Sequence, residues 1–421
     1  MEEDWKTYSL GDVSSDISYG YTESASWEEI GPKFLRITDI QNDFISWQDV
    51  PYCKISEKDL IKYQVKIGDI VIARTGNSTG ATSIIKTDIN AVFASYLIRY
   101  RLNKELAHPP YVDFVLRSKT WANYVEAIKG GSAQPGANAK QFAEFEFLLP
   151  PLPEQRDIAS ILSALDDKIE LNLQMNKTLE EMAMTLYKHW FVDFGPFKDG
   201  EFVSSELGEI PKGWEVKQIG QIVKVLGGYA FKSKDFIDEG EVVVKIKNIS
   251  GNVVSVEGSD CIATSVAEKT NLKFIVNPGC FLIAMTGAEV GKVGVVPDYG
   301  KRLWLNQRVG MIIDPKFKHA DILIGNYLQS EEGYGKIQNL AYGSAQPNIS
   351  TTGIEEISLP IPIDISILDE MLNQIGGWHE QRIMNLTENQ TLTTLRDTIL
   401  PKLISGEVRV KDAARSLAEV L

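Results

Sequence analysis

The chain has 421 residues, a length that accommodates two or three domains, each large enough to bury its own core. Its 43 basic and 57 acidic residues give a formal net charge of −14, which argues against a simple nucleic-acid-binding protein, because such proteins usually carry a basic excess. The acidic excess is spread along the whole chain. Any contact with DNA would therefore depend on local basic patches, or on partners that supply positive charge.

Cysteine and histidine usage indicates neither a disulfide framework nor a metal site. Cys53, Cys261 and Cys280 are far apart and form no C-x-x-C pair, and the four histidines show no metal-ligand spacing. The N-terminus lacks the apolar core of a signal peptide, and no apolar stretch approaches the roughly 18 residues of a membrane span. We therefore expect a cytoplasmic protein that has no membrane partner, no bound metal and no catalytic centre.

An internal duplication dominates the sequence. Short sequence motifs of the first half recur in the same order in the second half, at an offset that varies only from 209 to 212 residues. Because chance matches would scatter the offsets, the chain contains two copies of a whole domain and not a short solenoid repeat. Such a chain suits a partner that itself repeats, such as a DNA duplex or a pair of identical subunits. The clearest pairs are Gly68–Gly80 with Gly279–Gly291, and Gly131–Pro135 with Gly343–Pro347.

Taken in chain order, residues 1–150 are predicted to form a mixed module rich in strands, because short apolar runs are bounded by Gly and Asn turn signals. A helix is expected near Tyr111–Leu116, and residues 201–362 repeat the plan with a helix around Ile322–Gln329. The predicted fold class is α/β (α+β), with two similar domains in a pseudo-two-fold arrangement.

Residues 151–200 and 363–421 are predicted to form two long helices. Apolar residues follow a 3-4 spacing over more than four heptads, and each helix carries two asparagines four residues apart within this seam. We expect the helices to pair antiparallel as a coiled-coil spacer about 57 Å long, with a buried polar pair such as Asn172 with Asn385 fixing the register. The alternative, that each helix packs on its own module alone, stays open.

Candidate DNA contacts are polar residues in and beside the repeated motifs, some identical in the two copies and some different in kind. Arg36 corresponds to Lys245, and Ala94–Leu97 is aligned with Leu305–Arg308. One scaffold that reads two different half-sites would show this pattern, and so would ordinary surface variation after duplication. The candidate residues are Lys33, Arg36, Arg74, Thr75, Asn77, Ser78, Ser95, Tyr96, Ser132, Gln134, Lys245, Lys247, Asn248, Thr286, Lys292, Asn306, Gln307, Arg308, Ser344, Gln346 and Asn348.

A Thr-Gly-x3-Gly loop follows an apolar strand in both copies, beginning at Thr75 and at Thr286. Such a loop either brings backbone N–H groups to DNA phosphates or forms a tight turn that needs positive φ, and the two interpretations are compatible. It is not a nucleotide-triphosphate loop, because three residues instead of four separate the glycines and Val293 stands where Ser or Thr should reach magnesium. The tetrapeptide beginning at His108 similarly departs from the Asn/Asp-Pro-Pro-Tyr of amino-methyltransferases in its first residue.

The junctions between modules and helices resemble those of the specificity subunits of type I restriction-modification enzymes. The resemblance rests on the sequence motifs Leu149–Gln155, Leu179–Ala183, Leu186–Phe194 and Leu395–Glu407. The likeness covers essentially the whole chain. The chain departs from the family pattern at the end of the second module and around Gly376-Gly377. Around these glycines the second helix is predicted to be locally weak or completed by a partner.

The resemblance implies a bacterial or archaeal protein, a non-catalytic subunit whose two target-recognition domains read a bipartite sequence in double-stranded DNA. It also implies two methyltransferase subunits and two restriction subunits as partners, which would bind S-adenosylmethionine, ATP and magnesium in place of this chain. The isolated chain should then bind DNA weakly. Large apolar side chains at the helix ends are expected to dock the methyltransferase subunits, since exposed patches usually mark partner sites. They are Tyr187, Trp190, Phe191, Phe194, Leu400, Leu403 and Ile404.

Two other functions stay open. A self-contained DNA methyltransferase with fused recognition domains would bind S-adenosylmethionine by itself, and a coiled-coil adaptor without a DNA role would give a complex with no sequence preference. If the chain reads DNA, its helices are expected to set the distance between half-sites. A four-residue insertion after Leu179, matched near Leu392, should then lengthen the unread spacer.

Overall fold

The computed structural model describes residues 5–41, 44–129, 136–341 and 347–410. Contacts between residues divide the chain into two compact units, residues 1–170 with 392–421 and residues 171–391. Each unit therefore holds one module together with a segment of both long helices. Within the described ranges, no helix is both long enough and apolar enough to cross a membrane.

The module of the first unit is a mixed α/β structure. Its strands are β1 (Lys6–Ser9), β2 (Ser14–Tyr19), β3 (Lys33–Leu35), β4 (Ile70–Ala73), β5 (Thr82–Ile84), β6 (Ala91–Phe93), β7 (Leu97–Leu102) and β8 (Glu146–Leu149). Its helices are α1 (Glu57–Tyr63), α2 (Pro109–Leu116), α3 (Lys119–Ile128) and α4 (Ala139–Ala143). Strands β2-β7-β4-β5 form an antiparallel sheet, β3 pairs parallel with β6, and β1 pairs antiparallel with β8.

Strand β4 and helix α2 show why this part of the sequence folds as it does. Every residue of β4 is buried, because β4 lies between β7 and β5 and is covered on both faces. Pro109 occupies the first turn of α2, where a residue without an N–H group costs no hydrogen bond. Tyr111 of α2 is fully buried, and its hydroxyl donates to the carbonyl oxygen of Leu148 at 2.9 Å. This bond ties the helix to β8.

The second unit repeats this plan with additional short strands. The strands that correspond to those of the first module are β11 (Trp214–Gln218), β12 (Lys224–Gly227), β14 (Glu241–Val244), β19 (Phe281–Ala284), β20 (Val293–Val295), β21 (Leu303–Leu305), β22 (Val309–Ile313) and β23 (Ser358–Pro362). The others are β9 (Phe202–Ser205), β10 (Gly208–Pro211), β13 (Phe236–Ile237), β15 (Ile249–Ser250), β16 (Val253–Val254), β17 (Asp260–Ile262) and β18 (Ile275–Val276). The short helices are α6 (Thr264–Ala267), α7 (Ala320–Gln329), α8 (Glu331–Ala341) and α9 (Thr351–Glu355).

The sheets of the two modules share one topology, and this confirms the duplication. The order β12-β22-β19-β20 in the second unit matches β2-β7-β4-β5 in the first. The parallel pair β14–β21 matches β3–β6, and the antiparallel pair β11–β23 matches β1–β8. In both modules the closing strand is followed by the beginning of a long helix.

The two long helices are α5 (Leu152–Phe191) and α10 (Asp369–Ile404). At 1.5 Å per residue, they measure about 60 and 54 Å. In the first unit, Leu165 and Ile169 of α5 pack on Leu392 of α10. In the second unit, α5 contacts α10 through the pairs Asn172 with Asn389, Asn176 with Asn385, and Glu180 with Arg382. The residue numbers rise in one helix as they fall in the other, so the predicted antiparallel pairing is confirmed.

The predicted pairing of Asn172 with Asn385 is wrong. Asn172 hydrogen-bonds to Asn389, and Asn385 hydrogen-bonds to Asn176, in both cases between side chains. The reason is geometric. When two copies of a helix run antiparallel, the first asparagine of one faces the second asparagine of the other.

Each long helix contributes to the cores of both units. The beginning of α5 (Ile158, Leu162) and the end of α10 (Leu400, Leu403) lie in the core of the first unit. The end of α5 and the beginning of α10 lie in the core of the second unit, through Ala183, Tyr187, Phe191, Met371, Leu372 and Ile375. The alternative that each helix packs on its own module alone is therefore wrong.

Helix α10 is continuous through Gly376 and Gly377. A Cβ atom at position 376 would lie 2.6 Å from the imidazole of His319, and the glycine therefore permits this close packing. Pro401 lies inside the helix, which continues to Ile404. Gly406, with a φ of 72°, follows the last turn.

Candidate nucleic-acid interface

A turn between two strands presents the first candidate residues in each module. In the first module the turn is Ala94–Leu97, between β6 and β7. The N–H group of Ser95 donates to the Tyr21 carbonyl at 2.8 Å, and the Arg74 N–H donates to the Tyr96 carbonyl at 3.0 Å. These bonds hold the turn against the end of β4, and the Tyr96 side chain remains 60% exposed.

The second module forms the same turn from Asn306–Val309. The N–H group of Gln307 donates to the Tyr229 carbonyl, and the N–H group of Met285 donates to the Arg308 carbonyl, both at 3.0 Å. Arg308 therefore corresponds to Tyr96 and Gln307 to Ser95. The alignment predicted from the sequence is wrong by one residue, because the offset has grown to 212 before this turn.

The two turns place different chemistry at one backbone position. Tyr96 presents an exposed aromatic ring. Arg308 is also exposed, and within the described ranges its guanidinium makes no ion pair. Gln307 is exposed beside it, whereas Asn306 is 8% exposed and accepts from the Arg308 N–H at 3.4 Å through its side-chain oxygen. Arg308 and Gln307 are thus available to an external partner, and Asn306 shapes the turn.

The end of β4 brings Arg74 and Thr75 beside this turn. The Arg74 guanidinium lies over the ring of Tyr19 at 5.0 Å, and Thr75 forms a bridge with Gly136. In the second module Thr286 forms the corresponding bridge with the exposed Asn348. Four predicted DNA contacts in the adjoining Gly-Ser-Ala-Gln-Pro motifs lie outside the described residues. They are Ser132, Gln134, Ser344 and Gln346.

The glycine loops after these strands form tight turns that require positive φ, as one interpretation predicted. Gly76 and Gly80 have φ values of 73° and 89°, and Gly287 and Gly291 have values of 78° and 85°. The N–H group of the second glycine donates back to the strand in both modules, to Ala73 and to Ala284, at 2.8 Å. These two N–H groups are therefore engaged within the loop. Asn77 at the loop tip is exposed, and Ser78 accepts a hydrogen bond from Gln41.

Two basic candidates of the first module, Lys33 and Arg36, already bind polar groups of the protein. The Arg36 guanidinium binds both carboxylate oxygens of Asp39, at 2.8 and 3.0 Å, and lies 5.8 Å from the ring of Trp27. Lys33 donates to the carbonyl oxygen of Val50 at 2.7 Å and lies over the ring of Tyr52. A DNA phosphate would have to compete with Asp39 for Arg36, which weakens the electrostatic case for this patch.

Two basic candidates of the second module, Lys245 and Lys247, share one carboxylate. Lys245 and Lys247 lie 3.1 and 2.9 Å from Asp260, and the hydrogen bond from Lys247 holds the pKa of Asp260 below its usual value. Asn248 is buried and donates to Ser255 and Ser259, so it holds the loop together. Lys292 is exposed but forms an ion pair with Glu289.

The predicted docking residues are not an exposed aromatic patch. Tyr187 and Phe191 are each 4% exposed and stack on one another in the core of the second unit. Trp190 and Phe194 are partly buried against the same core. In the first unit Leu400 and Leu403 are buried and Ile404 is partly buried. The exposure on which the docking prediction rested is therefore wrong, because each helix end packs on a module.

Two exposed aromatic residues beside the candidate DNA contacts were not predicted by the sequence analysis. Trp27 is 72% exposed beside Arg36, and Tyr19 is 42% exposed beneath Arg74. A tryptophan between serines and glutamates, at the centre of a polar loop, was the available signal for Trp27. Within the part of the chain that the structure describes, no group of three or more His, Cys, Asp or Glu side chains could hold a metal ion.

Comparison with known proteins identifies the family of this architecture. A family model described as the type I restriction modification DNA specificity domain matches residues 2–181 and again residues 211–377. The two matches coincide with the two modules and the beginnings of the long helices. The family model therefore matches the chain twice, once for each copy of the duplicated module.

Individual relatives match along nearly their full length. The chain is 28% identical over 427 residues to the type I restriction enzyme MjaIX specificity subunit of Methanocaldococcus jannaschii, with 98% of this chain and 95% of that protein covered. It is 25% identical over 473 residues to the HindI specificity subunit of Haemophilus influenzae, with 96% and 100% covered. A crystal structure of the S subunit from M. genitalium shares the fold, with a TM-score of 0.60 at 14% identity and 96% and 97% of the two chains covered.

Proposed function

The chain belongs to the type I restriction-modification DNA specificity family, and we propose that it reads a bipartite DNA sequence, one half with each module. The observation that carries this proposal is the shared turn, in which one backbone arrangement presents Tyr96 in the first module and Arg308 in the second. Arginine binds guanine bidentately in the major groove, whereas a tyrosine ring offers apolar contact and one hydroxyl. Two such modules would recognise different half-sites.

The assembly that we propose contains two methyltransferase subunits and, for cleavage, two restriction subunits. The chain itself would be non-catalytic, and S-adenosylmethionine, ATP and magnesium would be bound by those partners in the cytoplasm. The net charge of −14 supports this division of roles, since DNA binding is driven largely by displacement of phosphate counterions. Several basic candidates are moreover paired with carboxylates, including Arg36 and Lys247. Partner subunits would supply the missing positive field.

Exchange of one module tests the proposal. Residues 1–150 are replaced by the equivalent module of a relative, and the methylated sites are mapped in cells that express the complete system. We expect one half of the target to change and the other to remain. The reciprocal exchange of residues 201–362 is the control and should change the opposite half. If both halves changed together in either chimaera, the two modules would not be independent readers.

A single substitution sharpens the test. Arg308→Ala should relax the sequence preference at one position of one half-site, with a loss of about 1–3 kcal/mol in discrimination. Lys301→Ala removes another exposed charge from the same module and is the matched control. An equal effect of the two substitutions would show that Arg308 contributes only charge.

A further inference from the structure

A cavity of about 830 Å³ lies in the first unit. Its volume falls in the range of small-molecule sites, about 300–1,000 Å³. Its walls come from the module, through side chains of β5, α2 and β8, and from the last turns of α10. Most of the wall is apolar, including Trp47, Ile84, Phe145, Phe147, Leu400 and Ile404.

Asp113 of α2 also lines this cavity and is 4% exposed. Within the described residues its Oδ1 atom has no hydrogen-bond partner, and its Oδ2 atom lies 3.7 Å from the Arg117 guanidinium. Burial raises the pKa of this carboxyl to about 6. A buried carboxylate with an unsatisfied oxygen is costly, so the arrangement calls for an external hydrogen-bond donor.

Three of the four cationic side chains that line the cavity already have a carboxylate, and the fourth, Lys119, is exposed. Arg117 lies 2.5 Å from Asp166, and Arg396 lies 2.9 Å from the same side chain. Lys86 donates to Asp167 at 3.1 Å. Among the buried groups, the one left over is thus the acceptor Asp113, and the complementary ligand carries a donor.

The second module shows that the fold itself does not need these charges. Helices α2 and α7 have equivalent N-caps, His108 and His319. The residues that correspond to Asp113 and Arg117 are Ile324 and Leu328, and both are fully buried. Because apolar side chains fill the same helix positions there, the buried carboxylate and guanidinium of the first module are not a requirement of packing.

We propose that this cavity binds a small organic amine, whose ammonium group donates to Asp113 and whose aromatic or branched apolar body contacts Trp47, Phe145 and Phe147. The site belongs to the first module alone. It is independent of DNA recognition, so the failure of either proposal leaves the other intact.

Three indole compounds of similar shape and different charge test this site. Tryptamine, 3-methylindole and indole-3-acetate are titrated into the full chain at pH 7.5 and followed by calorimetry. We expect tryptamine to bind at one site per chain, 3-methylindole to bind at least tenfold more weakly, and indole-3-acetate to bind most weakly. Absence of saturable tryptamine binding, or equal binding of the anion, would overturn the proposal.

Substitutions locate the binding. Asp113→Asn should lower the affinity for tryptamine at least tenfold and leave that for 3-methylindole unchanged. Asp88→Asn removes an exposed carboxylate of the same module outside the cavity and should change neither. Ile404→Trp fills the cavity from α10 and should weaken both compounds, which gives a second test should Asp113→Asn fold poorly. Full tryptamine affinity in either cavity variant would place its binding elsewhere.

Discussion

The side-chain amide of Asn172 donates to the side-chain oxygen of Asn389 at 2.8 Å, and Asn385 donates to Asn176 in the same manner at 2.9 Å. All four side chains are buried in the seam between α5 and α10. A shift of one helix turn would bring only one asparagine of each helix together and would leave the other two without an asparagine partner. The asparagines therefore specify the antiparallel register, as isolated polar residues do in coiled coils.

Removal of one member of this network should cost more than removal of a pair. We expect Asn172→Leu to lower the free energy of unfolding by about 1–3 kcal/mol, because it leaves the buried Asn389 amide without this bond. The double variant with Asn389→Leu should recover much of the loss. Urea unfolding and a double-mutant cycle measure the coupling, with the exposed Lys177→Leu as a control. Additive losses would contradict a shared network.

The sequence predicted the helices, their antiparallel pairing and the presence of polar residues in the seam, because heptad spacing reports which face is buried. It did not predict that Asn172 pairs with Asn389, since spacing along one helix contains no information about register between two. The one-residue error at Arg308 has a similar origin. The sequence alone does not show where a single residue was inserted before the turn. The backbone hydrogen bonds of Met285 and Gln307 show which positions of the two modules correspond.

Phe191 illustrates a second limit of the sequence. An aromatic cluster at a helix end predicts either a partner surface or a core, and the choice depends on what folds back onto it. Here Trp214 of β11 packs edge-on against Phe191, with ring centroids 5.4 Å apart. The strand that covers the helix end follows it in the chain, but nothing in the helix itself indicates that contact.

We predict that Phe191→Ala destabilises the second unit. Loss of a buried phenyl ring should lower the free energy of unfolding by about 3–5 kcal/mol. The neighbouring Val192 is 46% exposed, and Val192→Ala is the matched control, with an expected effect below about 0.5 kcal/mol. Thermal unfolding of both variants distinguishes the two roles of this helix end. A Phe191→Ala protein as stable as the control would restore the possibility of an exposed docking surface.

Asp113 should make the stability of the chain depend on pH. Burial raises its pKa to about 6 in the folded state, above the ordinary 3.8, so the folded protein holds this proton more tightly than the unfolded chain. Its contribution to stability is therefore largest at low pH and is lost as the pH rises through 6. The charged groups that face it are Arg117, Asp166 and Lys86.

The variant Asp113→Asn lacks this titration. We expect its free energy of unfolding, relative to that of the unmodified chain, to increase by about 1–3 kcal/mol between pH 4.5 and pH 7.5. The other three groups remain in both proteins and largely cancel in the difference. Urea unfolding at the two pH values measures it, and Asp88→Asn should show no comparable trend. A constant difference for Asp113→Asn would mean that the carboxyl titrates normally.

The register also corrects the design of an insertion that tests whether the helices set the distance between half-sites. Leu392 packs against Leu165 and Ile169, so it does not lie opposite Leu179. Glu180, the next residue in α5, forms an ion pair with Arg382, and the matching insertion therefore belongs after Arg382. Seven residues at each place preserve the heptad phase and add about 10 Å to each helix, or about three base pairs of DNA.

If the proposed function is right, this double insertion should lengthen the unread spacer by about three base pairs and leave both half-sites unchanged, since it alters no residue of either module. Mapping of methylated sites in cells that express the complete system measures both quantities. Insertion into α5 alone is the control. It should abolish methylation, because seven unmatched residues would pull Asn172 and Asn176 out of line with their partners in α10. An unchanged spacer in the double insertion, or altered half-sites, would show that the helices do not measure this distance.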